Sequence, residues 1–250
     1  MGLQSAMQQR AILTTALLVA GCGGQRFRVR DYVTPETLME ASRREFRQGH
    51  FAAAKLGFQR VTFEVPSNDP LSGEARYFLA ETDFATGDFE QAARGFRRVA
   101  DDYENHPLAA DALLRAGDAS VARWTRSELD PTAGDEATVS YQELATRYPD
   151  SRAAERARLR LGGLTSRFAE KQYRAGLFYF RLKAYDSAII YFRAVVAEYG
   201  SSAWAPRALV KLVESYRKID YKEEVSETCA HLRQYYPQAE GLGRVCPPAS

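Results

Sequence analysis

Three histidines, three cysteines and one Glu-Ser step are where chemistry could reside in this chain of 250 residues. His50, His106 and His231 stand apart. None has a metal-ligating partner one helical turn away, and none sits in an HExxH run, so no catalytic zinc site is expected. Cys229 and His231 are two positions apart, a single pair where a structural zinc takes four ligands. Gly21, Gly23 and Gly24 follow no strand, which removes a phosphate-binding loop, and no GxSxG nucleophile elbow occurs. Most carboxylates interleave with Lys and Arg, as on solvated helix faces. Glu214, followed by Ser215, is the one acid left to consider. A general acid must be held against its substrate by a site built around it. The surrounding pattern is helical and leaves no separate region to build one, so Glu214 reads as an exposed helical glutamate. No enzyme activity, cofactor or metal is expected.

Composition narrows the classes further. Apolar residues make up 45% and charged residues 26%, ordinary for a folded globular chain of one or two domains. Lys and Arg number 34 against 32 Asp and Glu, so there is no basic surplus to attract nucleic acid, and no nucleic-acid partner is expected. Ala11 to Ala20 (AILTTALLVA) is uncharged, follows Arg10, and leads into Val19-Ala20-Gly21-Cys22. A basic start, a short apolar core and small residues describe a secretory signal. With the cysteine in place, the stretch resembles a bacterial lipobox, in which the thiol receives a diacylglyceryl group and the chain is cut before it. The resemblance implies a signal peptide over 1–21 and lipidation at Cys22; a plain secretory signal with a coincidental cysteine is the other reading. Met1 and Met7 are both usable starts. Residues 22–34 then form a tether carrying Arg26, Arg28 and Arg30, placed either to touch anionic head groups or to serve as a solvated leash.

From Pro35 the apolar residues recur at helical spacing. Gly49-His50-Phe51, Gly87-Asp88-Phe89, Lys183-Ala184-Tyr185 and Ile219-Asp220-Tyr221 each bring an aromatic residue after a turn-prone step. Seven residues after the first three aromatics come Phe58, Phe96 and Phe192, and seven further on Val65, Tyr103 and Tyr199. A third unit keeps only its end, Tyr141 and Tyr148-Pro149, and the fifth ends on Cys229 and Tyr236-Pro237. Positions seven apart share a helix face, and proline restrains the residue before it from helical geometry. This is similar to the tetratricopeptide repeat, a helical hairpin of about 34 residues. The fold class expected is therefore all-α, an α-solenoid of about five such hairpins and about ten helices, with the aromatics as core. Repeats 1–3 occupy 35–161, repeats 4–5 occupy 162–240, and 241–250 is a tail. Arg126 to Glu136 (RSELDPTAGDE) reads as an exposed loop. Gly162-Gly163 reads as a hinge between the two blocks or as a point of close helix packing.

A lipobox followed by five such hairpins resembles the BamD family, lipoproteins of the β-barrel assembly machinery. The residues that carry the likeness are Leu129-Asp130-Pro131, Tyr148-Pro149-Asp150-Ser151, Phe178-Tyr179 with Ala184-Tyr185, and Tyr216-Arg217. The resemblance implies a lipid-anchored protein on the periplasmic face of the outer membrane. It implies a C-terminal block that binds the periplasmic domains of the barrel-assembly protein and other assembly subunits. It also implies N-terminal repeats that receive unfolded outer-membrane proteins. One departure is Ile190-Tyr191, where the family often has Asn-Arg. The alternatives are another repeat scaffold of the envelope, serving division or cell-wall synthesis, and a cell-wall hydrolase. The last rests on Glu214-Ser215 alone, since lytic transglycosylases can join helical solenoids to a glutamate followed by serine.

Export would remove Cys229 and Cys246 from the reducing cytosol and permit a disulfide between them, folding the tail over the last hairpin. The other reading is a buried inert thiol at Cys229 and a loose Cys246.

Overall fold

The computed structural model describes residues 27–246. The signal segment and Cys22 lie outside them, as do the first residues of the tether. A 3-10 turn (Val29–Asp31) precedes ten helices and one short final helix. They are α1 (Pro35–Arg47), α2 (Phe51–Glu64), α3 (Pro70–Ala85), α4 (Phe89–Asp102), α5 (Ala109–Arg123) and α6 (Thr132–Arg147). Then follow α7 (Arg152–Arg181), α8 (Tyr185–Glu198), α9 (Trp204–Lys218), α10 (Lys222–Tyr235) and α11 (Leu242–Val245). Each of the ten packs on the next, and α1 meets α3, α5 meets α7 and α7 meets α9. The odd helices thus form an inner layer and the even helices an outer one, which is the helical solenoid expected.

Local chemistry sets the boundaries. Thr34 caps α1 in a reciprocal capping box with Thr37, with Pro35 as the first helical residue. Asp69, Asp88 and Ser151 accept backbone N–H groups at the starts of α3, α4 and α7. Four hairpin turns share one device. A residue in the left-handed region (Gly49, Gly87, Lys183 or Asp220) ends the first helix. The next N–H then donates back five residues, His50 to Glu45, Asp88 to Asp83, Ala184 to Tyr179 and Tyr221 to Tyr216. This is the Schellman closure, and it satisfies carbonyls a helix end leaves orphaned. Each turn is also bracketed by an aromatic pair, Phe46–Phe51, Phe84–Phe89, Phe180–Tyr185 and Tyr216–Tyr221, with centroids 5.2–6.2 Å apart.

The third hairpin departs from this plan and from the expected loop. Its connection covers 124–131, and α6 already begins at Thr132, so the second half of the acidic stretch is helical. Asp130 Oδ1 accepts from the Thr132 backbone N–H at 3.1 Å and from its hydroxyl at 2.8 Å, which starts the helix there. Ala133 and Ala137 then face the core.

Helix α7 runs unbroken through Gly162 and Gly163 for 30 residues. A Cβ added at either glycine would meet nothing within 4 Å, so close packing is not why they are there. Three apolar clusters hold the layers together. The first joins Leu38, Met39, Phe58 and Val61; the second runs from Ala80 to Leu164; the third from Ala169 to Cys246. Phe58, Phe96, Tyr141 and Phe192, the aromatics seven residues into the repeats, are fully buried.

Candidate interaction surface

The inner layer is tied together by ions over its first four odd helices. Arg43 of α1 reaches Glu74 of α3 at 2.5 Å. Arg115 of α5 donates two hydrogen bonds to Glu81 of α3, at 2.6 and 2.8 Å, and lies 4.0 Å over the Phe84 ring. Burial would lower the Arg115 pKa, but pairing with Glu81 and Asp118 outweighs it and holds the guanidinium charged. Asp118 accepts from the buried Tyr141 hydroxyl at 2.7 Å and from Arg160 of α7 at 3.1 Å, and Asp111 pairs with Arg156. Beyond α7 the ties become aromatic. Tyr173 packs on Trp204 and Phe192, at 5.2 and 5.6 Å, and Lys211 Nζ lies 4.8 Å over Phe180.

The 124–131 connection is strapped to α7. Lys171 Nζ donates to the Glu128 and Leu129 carbonyls at 3.1 and 2.8 Å, Arg174 pairs with Glu128 at 2.6 Å, and Arg167 donates to the Trp124 carbonyl. Beside it is an exposed apolar patch. Tyr191 of α8 stacks on Tyr179 of α7 with centroids 5.2 Å apart and planes 11° from parallel, and Phe178 meets Tyr179 edge-on. Phe178 is 58% exposed. Phe178 and Tyr191 also line a cleft of about 340 Å³ with Lys171 and Arg174 on its rim. At Ile190-Tyr191 the chain therefore places an aromatic stack beside an exposed isoleucine.

Glu214 sits in a different setting from a catalytic acid. Lys211 Nζ lies 2.6 Å from Oε2, and Arg244 Nη2 lies 2.7 Å from Oε1, an ion pair off the hydrogen-bonding direction. Burial would raise the Glu214 pKa, but pairing with Lys211 and Arg244 outweighs it and holds the carboxyl below the ordinary carboxylate range. A group held ionised cannot deliver a proton near neutral pH. Arg244 arrives on α11, which Gly241, in the left-handed region, turns back against Val210 of α9. Cys229 of α10 and Cys246 are joined through their sulfurs, with Cα atoms 5.6 Å apart, and Val245 is buried beside them. The sulfur of Cys229 is therefore not open to pair with His231 on a metal; the His231 ring packs on Tyr235 and Tyr236 instead. His50 pairs with Glu45 at 2.9 Å, and His106 Nδ1 accepts the Leu108 backbone N–H at 3.1 Å.

Sequence spacing does not reveal Arg244, because a tail with two glycines and two prolines carries no helical period. The Phe178–Tyr179–Tyr191 group was within reach, since the repeat pattern places 178 and 191 off the buried face of their helices.

Residues 32–232 match the family described as "YfiO: Outer membrane lipoprotein". The chain belongs to that family. Among its relatives is the outer membrane protein assembly factor BamD of Caulobacter vibrioides, 25% identical over 91% of this chain and 75% of the relative. The protein of the same name in Xylella fastidiosa strain 9a5c is 24% identical over 84% of this chain and 76% of its own. A thermophilic TPR protein of Thermus thermophilus is 18% identical, with a TM-score of 0.39 over 85% of this chain and 97% of that one. Among the described residues, no helix is long and apolar enough to cross a membrane.

Proposed function

We propose that this protein is a non-enzymatic scaffold of outer-membrane protein assembly, lipid-anchored through Cys22 to the outer membrane and facing the periplasm. Family membership over 32–232, with assembly factors as relatives, is the observation that carries the reading. In it, repeats 4–5 (162–240) hold the periplasmic domains of the barrel-assembly protein and join the other assembly subunits. Repeats 1–3 (35–161) receive unfolded outer-membrane proteins. The exposed Phe178–Tyr191 patch supports a protein contact on the C-terminal block, since aromatic side chains in a partly enclosed cleft suit the centre of an interface. The ionic inner layer of the N-terminal repeats supports weak and unselective holding of extended segments.

Affinity purification of the lipoprotein from membranes tests this. Barrel-assembly subunits should co-purify with the parent, and Phe178→Ala with Tyr191→Ala should deplete them about tenfold or more if that patch is central. Recovery of division or cell-wall proteins in their place would move the protein to another envelope scaffold.

A further inference from the structure

Successive outer helices flank clefts whose floors are inner helices, and two of these clefts can be compared through the repeat. Counting from the buried aromatic of each outer helix, the residue one position on faces the residue two positions on in the next outer helix. Between α4 and α6 these are Arg97 (after Phe96) and Glu143 (after Tyr141), and they form an ion pair at 2.6 Å. Arg97 also donates to Ser140 at 2.9 Å. The other arginines of that cleft are closed within the chain as well, Arg94 on Glu90 and Arg123 on Glu136.

Between α2 and α4 the same two positions hold Gln59 (after Phe58) and Arg98 (after Phe96). An arginine stands where the neighbouring cleft has its glutamate. Arg76 of α3 rises from the floor, and its Nε is buried with no hydrogen-bond partner. Neither Arg76 nor Arg98 has an ion-pair partner among the described residues. Asp83 is the acid lining the cleft, and Lys55 occupies it at 2.6 Å. Gln91 Oε1 accepts from Arg94, which leaves the Gln91 amide N–H groups as donors. The cleft, about 250 Å³, therefore offers two guanidinium forks and carboxamide donors above an apolar strip of Leu79 and Ala80, and its one acid, Asp83, is already paired with Lys55. A buried donor left unpaired is costly, and a planar guanidinium pairs best with a carboxylate, through two parallel bonds.

We propose that the cleft between α2 and α4 binds the carboxylate of an acidic peptide segment, which takes the place Glu143 fills in the next cleft. The aspartate or glutamate side chain enters between Arg76 and Arg98, and the flanking peptide lies along Leu79 and Ala80. This rests on the repeat register and the unpaired arginines, and it stands whatever the C-terminal block holds.

The test uses the full-length mature lipoprotein in detergent. It is titrated with the pentapeptide Ac-Ala-Ala-Glu-Ala-Ala-NH2, with the same peptide carrying glutamine, and with inorganic phosphate, while the Arg Nε–H signals are followed by NMR. The glutamate peptide should shift the Arg76 signal and bind about tenfold or more tightly than its glutamine twin. Arg98→Glu closes the cleft within the chain. It should lose that binding about tenfold or more with an unfolding midpoint no lower than the parent's, and Arg76→Gln should lose it too. Equal binding of the glutamine peptide, undiminished binding by Arg98→Glu, phosphate binding as tight as the glutamate peptide, or no binding at all would each overturn the proposal.

Discussion

Two kinds of glycine occupy the interiors of these helices, and they should respond oppositely to alanine. At Gly176 an added Cβ would stand 2.6 Å from the ring of the fully buried Phe192, and at Gly117 it would stand 2.3 Å from the Tyr141 ring. These rings are locked in the core and cannot retreat, so the steric cost exceeds the gain in helix propensity. Gly176→Ala should destabilise by about 1–3 kcal/mol. Gly163 faces open space, so Gly163→Ala should stabilise by about 0.5–1 kcal/mol. Chemical denaturation of the three proteins side by side reads both effects. Destabilisation by Gly163→Ala would mean that the helix needs its weak point there. Lys183 belongs with the first kind by backbone rather than by space. It holds φ 61°, where its repeat counterparts Gly49 and Gly87 are free of Cβ strain. Lys183→Gly should therefore stabilise the fourth turn by about 0.5–1 kcal/mol, against the usual sense of a change to glycine.

Among the α-helices, α11 is the shortest and carries the most consequence. It brings Arg244 to Glu214, buries Val245 and is followed by Cys246. With no sixth hairpin after α10 among the described residues, the tail covers apolar surface that a next repeat would otherwise cover. The bond closes a loop of sequence separation 17, worth about 3 kcal/mol in the chain-entropy model. Thiol labelling of the unfolded, unreduced protein should find neither Cys229 nor Cys246 reactive, and two reactive thiols there would refute the bridge. The Glu214 ion pairs add a pH dependence. Its folded pKa lies below the unfolded one, so its stabilisation is full above the ordinary glutamate range and fades as pH falls through the depressed value. The denaturation midpoint should therefore fall on acidification through that range, and Glu214→Gln should flatten the fall.

The elements also show what was legible beforehand. The buried aromatics at seven-residue spacing gave away four of the hairpins, because a helix face repeats whatever the tertiary context. The bound of the third connection escapes the sequence because TAGDE looks like turn chemistry. There Asp130 Oδ1, just ahead of the helix, accepts the Thr132 N–H, and Gly134 packs against the Trp124 ring. The inner ion ties, the Arg244–Glu214 contact and the guanidinium cleft depend on which helices become neighbours. Single-helix periodicity carries no such information, although the swap of Glu143 for Arg98 is visible once the repeats are laid in register.

Seen as one molecule, the solenoid has two ends, and in the proposed reading the lipid on Cys22 would lie beside the first hairpin. Phe27 already packs near Gly57 of α2, and Val29 and Tyr32 join the first apolar cluster. Only a few residues separate that packed point from Cys22, so an acylated Cys22 would keep the first hairpin close to the membrane, leaving the last hairpin as the free end. A single acyl chain binds a bilayer only marginally, whereas two or more anchor it stably. Cys22→Ala should therefore leave the protein unprocessed or free in the soluble fraction, and an unmodified mature Cys22 by mass spectrometry would refute the anchor. In the proposed reading the same polarity separates the contacts. Removing residues 202–237 takes away α9 and α10, which cover the α7–α8 layer beneath the Phe178 patch through Trp204, Val213 and Leu232. That deletion should abolish co-purification of the barrel-assembly protein. Removing residues 35–130 leaves the third apolar cluster whole and should spare it. Because either deletion could act through misfolding, the point variants Phe178→Ala and Tyr191→Ala, whose side chains lie at the surface cleft, carry the decision. Retention of the partner by both point variants, together with its loss on removing 35–130, would place the contact on the N-terminal repeats instead.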